Sequence, residues 1–386
     1  MFSLFDVFTG GAFSNATVMA MGVSPYINAS IIVQLLTVAI PSLERLAKEG
    51  LEGRKKINKI TRYLGIALAF IQGAGLYVTL YNMSVTNGLD AIKNPSVLTF
   101  FVIVLTFTAG TAFIIWLGEL ITEKGLGNGV SLIIFAGIVS RIPSAAYGIY
   151  NQFLGAGVNA KGLIFVAAII VVAIAAITFV VFFSEAERRI PVQYAKRVVG
   201  RKMYGGQSTN IPIKVAAGGV MPIIFAQALM FIPMFFTRFE ATRGFAAAFA
   251  DYTGFWYNLV FALLVIAFTY FYTAITVNPN MMAEDMKRNG GFIPGVKPGK
   301  KTVEYLDTIM TRITLPGSIF LAIVAILPTF AMKLGINNQF ALFYGGTSLL
   351  ILVGVVLDTL QQIESYLLLR HYDGLMKTGR IKGRVG

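Results

Sequence analysis

Side chains able to do chemistry are scarce in this 386-residue sequence, and that scarcity is the first constraint on its function. Cysteine is absent and the single histidine is His371. There is thus no thiolate nucleophile, no disulfide framework, and no His-pair or Cys-based metal centre. Glu119, Glu123, Glu185 and Asp358 stand at the ends of apolar stretches, where interfacial solvation accounts for them. Proton relays and ion-coupled pumps need ionisable groups near the membrane midplane, where each is costly to keep. Intramembrane proteolysis needs an aspartyl pair, or a base within reach of a buried serine. The sequence offers neither, and so points away from an enzyme and from any metal or organic cofactor.

What the apolar segments carry instead is two short repeats. Gly22-Val23-Ser24-Pro25-Tyr26-Ile27 and Gly219-Val220-Met221-Pro222-Ile223-Ile224 both read G-V-x-P-x-I. Gly129-Val130-Ser131-Leu132-Ile133-Ile134 and Gly346-Thr347-Ser348-Leu349-Leu350-Ile351 both read G-x-S-L followed by two aliphatics. The offsets are 197 and 217 positions. Glycine before a helix, or proline within its first turn, lets the helix begin or kink at depth. Two readings of Ile27, Ile134, Ile224 and Ile351 stand side by side. They converge as a narrow waist that excludes water and ions by dewetting, or they are ordinary packing and lipid-facing isoleucines.

The elements that carry these residues are membrane spans. Hydrophobic residues make up 56% of the chain, charged residues 13%, and mean hydropathy is +0.72. Soluble domains carry about a quarter charged residues, so this surface faces lipid. Nine apolar stretches are long enough, or nearly so, to cross: 20–40, 63–81, 97–117, 130–142, 163–183, 215–236, 255–277, 313–332 and 340–357. The net charge is +14, and alternate loops plus the tail hold 26 of the 32 Lys and Arg. The positive-inside rule places that side, and the C-terminus, in the cytoplasm. One member of each repeat pair then runs inward and the other outward, which marks an inverted-topology repeat. Repeat partners lie five spans apart, so ten helices are expected, with the additional one preceding Met1; the alternative is a chain that starts outside. Residues 1–19 read as a short re-entrant piece, or as an interfacial helix lying on the membrane. The expected organisation is a half over 20–142, an external hinge loop over 143–160, a second half over 161–369 and a tail over 370–386. The long basic loops 184–214 and 278–312 suit anionic lipid headgroups, or a large acidic partner such as RNA or a motor surface. Asn28, Ser30, Gln34 and Gln72 are uncharged polar residues, which are commonly interhelical hydrogen-bond partners.

Six stretches are more specific: 21–36 (MGVSPYINASIIVQLL), 116–129 (WLGELITEKGLGNG), 134–139 (IFAGIV), 207–215 (QSTNIPIKV), 291–299 (GFIPGVKPG) and 345–351 (GGTSLLI). With them the chain resembles the SecY family, the central subunit of the bacterial protein-conducting channel. The resemblance implies an all-α polytopic bundle, two five-helix halves forming a clamshell around an hourglass pore. It implies a passive channel, not an enzyme, in the bacterial cytoplasmic membrane. Such a channel moves unfolded secretory polypeptides across and releases membrane segments sideways. A pore ring is implied at Val23, Ile27, Val130, Ile134, Ile224 and Ile351. The plug would be 2–16, with Phe2, Leu4, Phe5, Val7, Phe8, Gly10 and Gly11. A lateral gate would hold Asn28, Ser30, Gln34 and Gln72. Docking sites for the ribosome and the SecA motor ATPase would hold Arg197, Arg201, Lys202, Lys297 and Lys300. SecE and SecG are the implied partner subunits, and signal peptides and translocating polypeptides the implied cargo. Three departures stand out: the family's first helix is absent from the sequence, Lys297 replaces a usual arginine, and Ala216 replaces a frequent asparagine. A secondary transporter of small solutes shares the inverted repeat and is the alternative class; a purely structural scaffold is the third.

Overall fold

The computed structural model describes residues 12, 17–87, 92, 95–154, 160–194, 197–199, 202–204, 208–216, 218–230, 253–336, 340–341 and 345–378. The chain divides into two compact units, Met1–Ser144 with Gly354–Gly386, and Ala145–Val353. Among the described residues seven helices are long and apolar enough to cross a membrane, or eight if one bent pair counts as a span.

The first unit is built from α1 (Ser24–Ala39), α2 (Pro41–Lys48), α3 (Leu51–Asn87), α4 (Val97–Lys124) and α5 (Gly129–Val139). Ile40 is extended, with φ −110° and ψ 113°, because the ring of Pro41 disfavours the α conformation in the residue before it. The chain therefore bends by 106° between α1 and α2. Helix α1 packs on α3, α3 on α4 and α4 on α5. Ala20, Met21, Ala69 and Phe107 form a buried cluster there. Arg62 of α3 pairs with Glu119 of α4 at 2.9 Å, both side chains about a third exposed.

The turn from α4 into α5 explains much of the 116–129 motif. The Asn128 carboxamide accepts from the Val130 and Ser131 amides at 3.1 and 3.3 Å, capping donors that α5 cannot pair itself. The Gly129 amide donates to Thr122 Oγ1 at 2.8 Å, and the Thr122 hydroxyl donates to the Gly118 carbonyl at 2.8 Å. A Cβ on Gly129 would overlap that carbonyl and meet Ile121 Cβ at 2.8 Å, so the close approach of the two helices requires glycine. The Gly127 amide donates to Gln362 at 2.8 Å.

The second unit begins within α6 (Ile142–Leu154) and continues through α7 (Ala160–Glu185), strands β1 (Glu187–Tyr194), β2 (Arg197–Val199), β3 (Lys202–Tyr204) and β4 (Ser208–Lys214), then α8 (Met221–Met230). Next come α9 (Phe255–Thr276), α10 (Pro279–Arg288), β5 (Gly291–Phe292), α11 (Lys300–Lys333) and the start of α12 (Thr347–Thr378). Helix α9 packs on both α8 and α11. Asn258 accepts from the Thr329 hydroxyl at 2.9 Å across α9 and α11. Phe183 of α7 stacks on Phe320 of α11, with ring centroids 4.5 Å apart.

Helices dominate, as the hydropathy pattern requires, but the basic stretches 184–214 and 278–312 are not plain loops. Antiparallel strands in the order β4, β1, β5 form a sheet, with Ile190 opposite Ile211. Ile190, Val192 and Ile213 pack with Ala283, Met286, Ile293, Leu306 and Met310 into one buried cluster. The two stretches thus share a core of their own, a platform of β1, β4, α10 and the start of α11.

Three expectations follow. Gly129→Ala overpacks the α4–α5 contact and costs on the order of 2 kcal/mol, lowering the melting temperature of the detergent-purified protein. Gly75→Ala, where a Cβ meets nothing within 4 Å, leaves that temperature unchanged or raises it. Leu306→Ala opens a cavity in the platform core, at about 2–5 kcal/mol, and tryptic cleavage at Arg188 and Arg189 should quicken while the membrane helices stay intact.

Candidate functional site

Helices α1 and α8 start in the same way, 197 residues apart. Gly22 has φ 53° and Gly219 φ 54°, the left-handed region that glycine alone enters freely. The Gly22 amide donates to the Met19 carbonyl at 2.9 Å, and that of Gly219 to Ala216 at 3.0 Å. Two residues later each helix begins, with buried Pro25 or Pro222 at its second position. Proline costs nothing there, because first-turn amides have no intrahelical partner. The Ile27 amide then donates to Val23 at 3.1 Å and the Ile224 amide to Val220 at 3.3 Å. Beyond the isoleucines, Ala29 and Ala226 are both wholly buried. The repeat therefore extends to G-V-x-P-x-I-x-A and to the backbone itself; the sequence reading stopped two residues short of that alanine.

The second pair agrees less closely. Helix α5 starts at Gly129 under the Asn128 cap, whereas α12 starts at Thr347 after Gly346, whose φ is 60°. Gly345 takes the role of close contact, since a Cβ there would overlap the Pro328 ring of α11.

The six expected ring residues fall on four helix starts. Val23 caps α1 and is buried, with half-buried Ile27 one turn on. Val130 is half-buried and Ile134 buried on α5. Both pairs are spaced i,i+4, so each shares one helix face. These four belong to the first unit, and half-buried Ile224 and Ile351 to the second. Among the expected gate residues, Asn28, Ser30 and Gln34 lie on α1 and Gln72 on α3, which packs against it. Gln34 is exposed and the other three are half-buried. The expected plug residues Phe2, Leu4, Phe5, Val7, Phe8, Gly10 and Gly11 lie outside the described residues, as does Arg201.

The remaining basic positions fall within the two basic stretches. Arg197 and Lys202 stand on the hairpin β2–β3, where Val199 pairs with Lys202. Lys297 and Lys300 are exposed near the start of α11. The loop carrying Lys297 is fixed by Gly295 and Gly299, with φ 82° and 101°, and by the Thr302 hydroxyl donating to the Lys297 carbonyl at 3.1 Å. A shallow open depression beside it is lined by Lys297, Lys301, Glu304, Tyr305 and Thr308.

One polar contact was invisible to sequence reasoning. Gln227 of α8 donates to Thr347 Oγ1 at the start of α12, at 3.0 Å. Its partners are 120 residues apart, and no periodicity links them.

Residues 17–360 match the family model described as SecY. The protein translocase subunit SecY of Mycobacterium bovis is 45% identical over 391 residues, covering 98% of this chain and 87% of the relative. That of Streptomyces scabiei is 46% identical over 387 residues with the same coverage. Solved structures share the fold at lower identity. A protein-conducting channel aligns with TM-score 0.57 and 20% identity, over 98% of this chain and 87% of the other. A SecY protein whose plug domain stabilises the closed state of the translocation channel aligns at 0.58 and 22%, over 95% and 86%. The channel of a canine ribosome complex from the endoplasmic reticulum aligns at 0.52 and 19%, over 98% and 87%. A family match across most of the length, near-half identity to curated relatives and seven or more apolar helices together establish a multi-pass membrane protein that belongs to the SecY family.

Proposed function

We propose that this chain, the pore-forming subunit of a protein-translocation channel, seals and conducts through a waist of six aliphatic side chains: Val23, Ile27, Val130, Ile134, Ile224 and Ile351. The observation that carries the reading is the duplicated start of α1 and α8, where matching glycine torsions and hydrogen bonds set Ile27 and Ile224 at equivalent positions of two helices. Aliphatic side chains leave no hydrogen-bond demand for a passing polypeptide to satisfy, so any unfolded sequence is tolerated. With no chain inside, they expel water and ions by dewetting. The membrane part supplies no chemistry; direction and energy come from a partner.

In this reading the halves 20–142 and 161–369 part to admit the chain, and residues 2–16 close the outer funnel at rest. Asn28, Ser30, Gln34 and Gln72 border the lateral exit for signal peptides and membrane segments. The basic platform faces the cytoplasm of a bacterial cell, as does the C-terminus, and docks SecA or the ribosome through Arg197, Arg201, Lys202, Lys297 and Lys300. The same cations hold anionic headgroups. SecE and SecG complete the complex. Support for docking is physical: the platform has its own core and fixed turns, so Lys297 and Lys300 are presented without a folding cost at each encounter.

Replacing Ile27 and Ile224 by glycine should raise resting ion conductance in planar bilayers and admit weaker signal sequences. Unchanged conductance with unchanged stringency contradicts the waist. Solute uptake driven by an ion gradient in vesicles holding this complex, without motor or ribosome, would favour a transporter. Lys297→Glu should weaken binding of SecA or of ribosomes by about tenfold, the loss of roughly one charge-assisted hydrogen bond; equal binding by sedimentation would remove Lys297 from the docking surface.

A further inference from the structure

We propose that Gln227 is a positioning residue for the waist: its hydrogen bond to Thr347 holds the isoleucines of α8 and α12 in register. This rests on the waist reading above and adds the device that sets how tightly the waist closes. Gln227 follows Ile224 by three residues and Thr347 precedes Ile351 by four, so the helical period puts each polar residue on the face of its isoleucine, one turn away. The bond is 3.0 Å long, and its acceptor Thr347 is only 3% exposed, while Gln227 is half-buried.

Aliphatic contacts are not directional, and a ring made only of them has no means of fixing how far one helix slides along another. A side-chain hydrogen bond between membrane helices does fix it. The start of α12 is already anchored, with Gly345 against Pro328 and Gly346 in its left-handed turn beside Ala325. Helix α8 packs, among the described residues, on α9 and more lightly on α11. The Gln227–Thr347 bond ties the start of α12 to α8, and so sets the separation of Ile224 from Ile351. Across the repeat offset Gln227 corresponds to Ser30. A serine hydroxyl is too short to make the same reach, so the clamp belongs to the second half alone.

The test is resting ion conductance of the purified complex in planar bilayers, with no motor or ribosome added. Gln227→Met and Thr347→Val keep size and remove the bond. Each should raise the leak by about three- to tenfold, the range of one interhelical hydrogen bond. The double variant should leak no more than either single one, because both remove the same interaction. Thr347→Ser, which retains the hydroxyl, should restore the low leak. Wild-type conductance in Gln227→Met, while Ile224→Ser leaks, overturns the clamp and leaves the waist standing. Multiplying effects in the double variant also overturn it, since they indicate two separate packing defects. If Ile224→Ser is silent as well, the waist itself fails and the clamp falls with it. Should Gln227→Met not accumulate in the membrane, the contrast between Thr347→Val and Thr347→Ser decides.

Discussion

Hydrocarbon offers a peptide group no hydrogen-bond partner, and the architecture follows from that. Each backbone amide within the spans must be paired inside the protein, so the chain crosses as helices. The places where it does not continue as helix are tightly specified. At Gly22 and Gly219 the break is absorbed by a left-handed glycine and an amide that bonds three residues back. At Gly129 it is absorbed by the Asn128 cap and the Thr122 hydroxyl. These devices let helices begin where others end, and a helix that begins at depth can present the side chains of its first turn toward an interior.

The same constraint selects what those first turns carry. A charge in the interior would need a partner or water, and a polar ring would impose a fixed pattern on whatever passed. Valine and isoleucine avoid both demands. Their weakness is that they specify nothing about position. In the proposed waist, position comes from elsewhere: from close glycine contacts in the first unit, and from the proposed Gln227–Thr347 clamp in the second. Charge is collected outside the membrane on a platform whose sheet and helix share one buried cluster.

Much of this was legible in the sequence, and the parts that were not have identifiable causes. Apolar spans are legible because about 20 apolar residues leave a strong hydropathy signal. Their ends read poorly: α3 runs from Leu51, well before the apolar stretch at 63, since charged helix formers such as Glu52 and Lys55 extend a helix while lowering hydropathy. Residues 143–154, expected within the hinge loop 143–160, lie in α6, whose Pro143 and polar Ser144, Asn151 and Gln152 mask a helix in the hydropathy pattern. In β1 the buried Ile190 and Val192 alternate with exposed neighbours, a strand pattern available in the sequence. Pro191 and Pro212, unfavourable inside a sheet, obscured it. The first repeat proved deeper than its six letters, reaching the torsions of Gly22 and Gly219. The second proved shallower, with Gly129 and Gly346 in different conformations. Gln227 carried no local signal at all, because its partner is fixed only by tertiary packing.

The absence of native cysteine makes one measurement direct. Cysteines placed singly at positions 23, 27, 130, 134, 224 and 351 can be challenged with a stalled translocating polypeptide bearing one thiol-reactive group. A shared constriction predicts adducts from all six positions at nearly the same register of the stalled polypeptide. Adducts confined to one unit, or formed at widely separated registers, would contradict it.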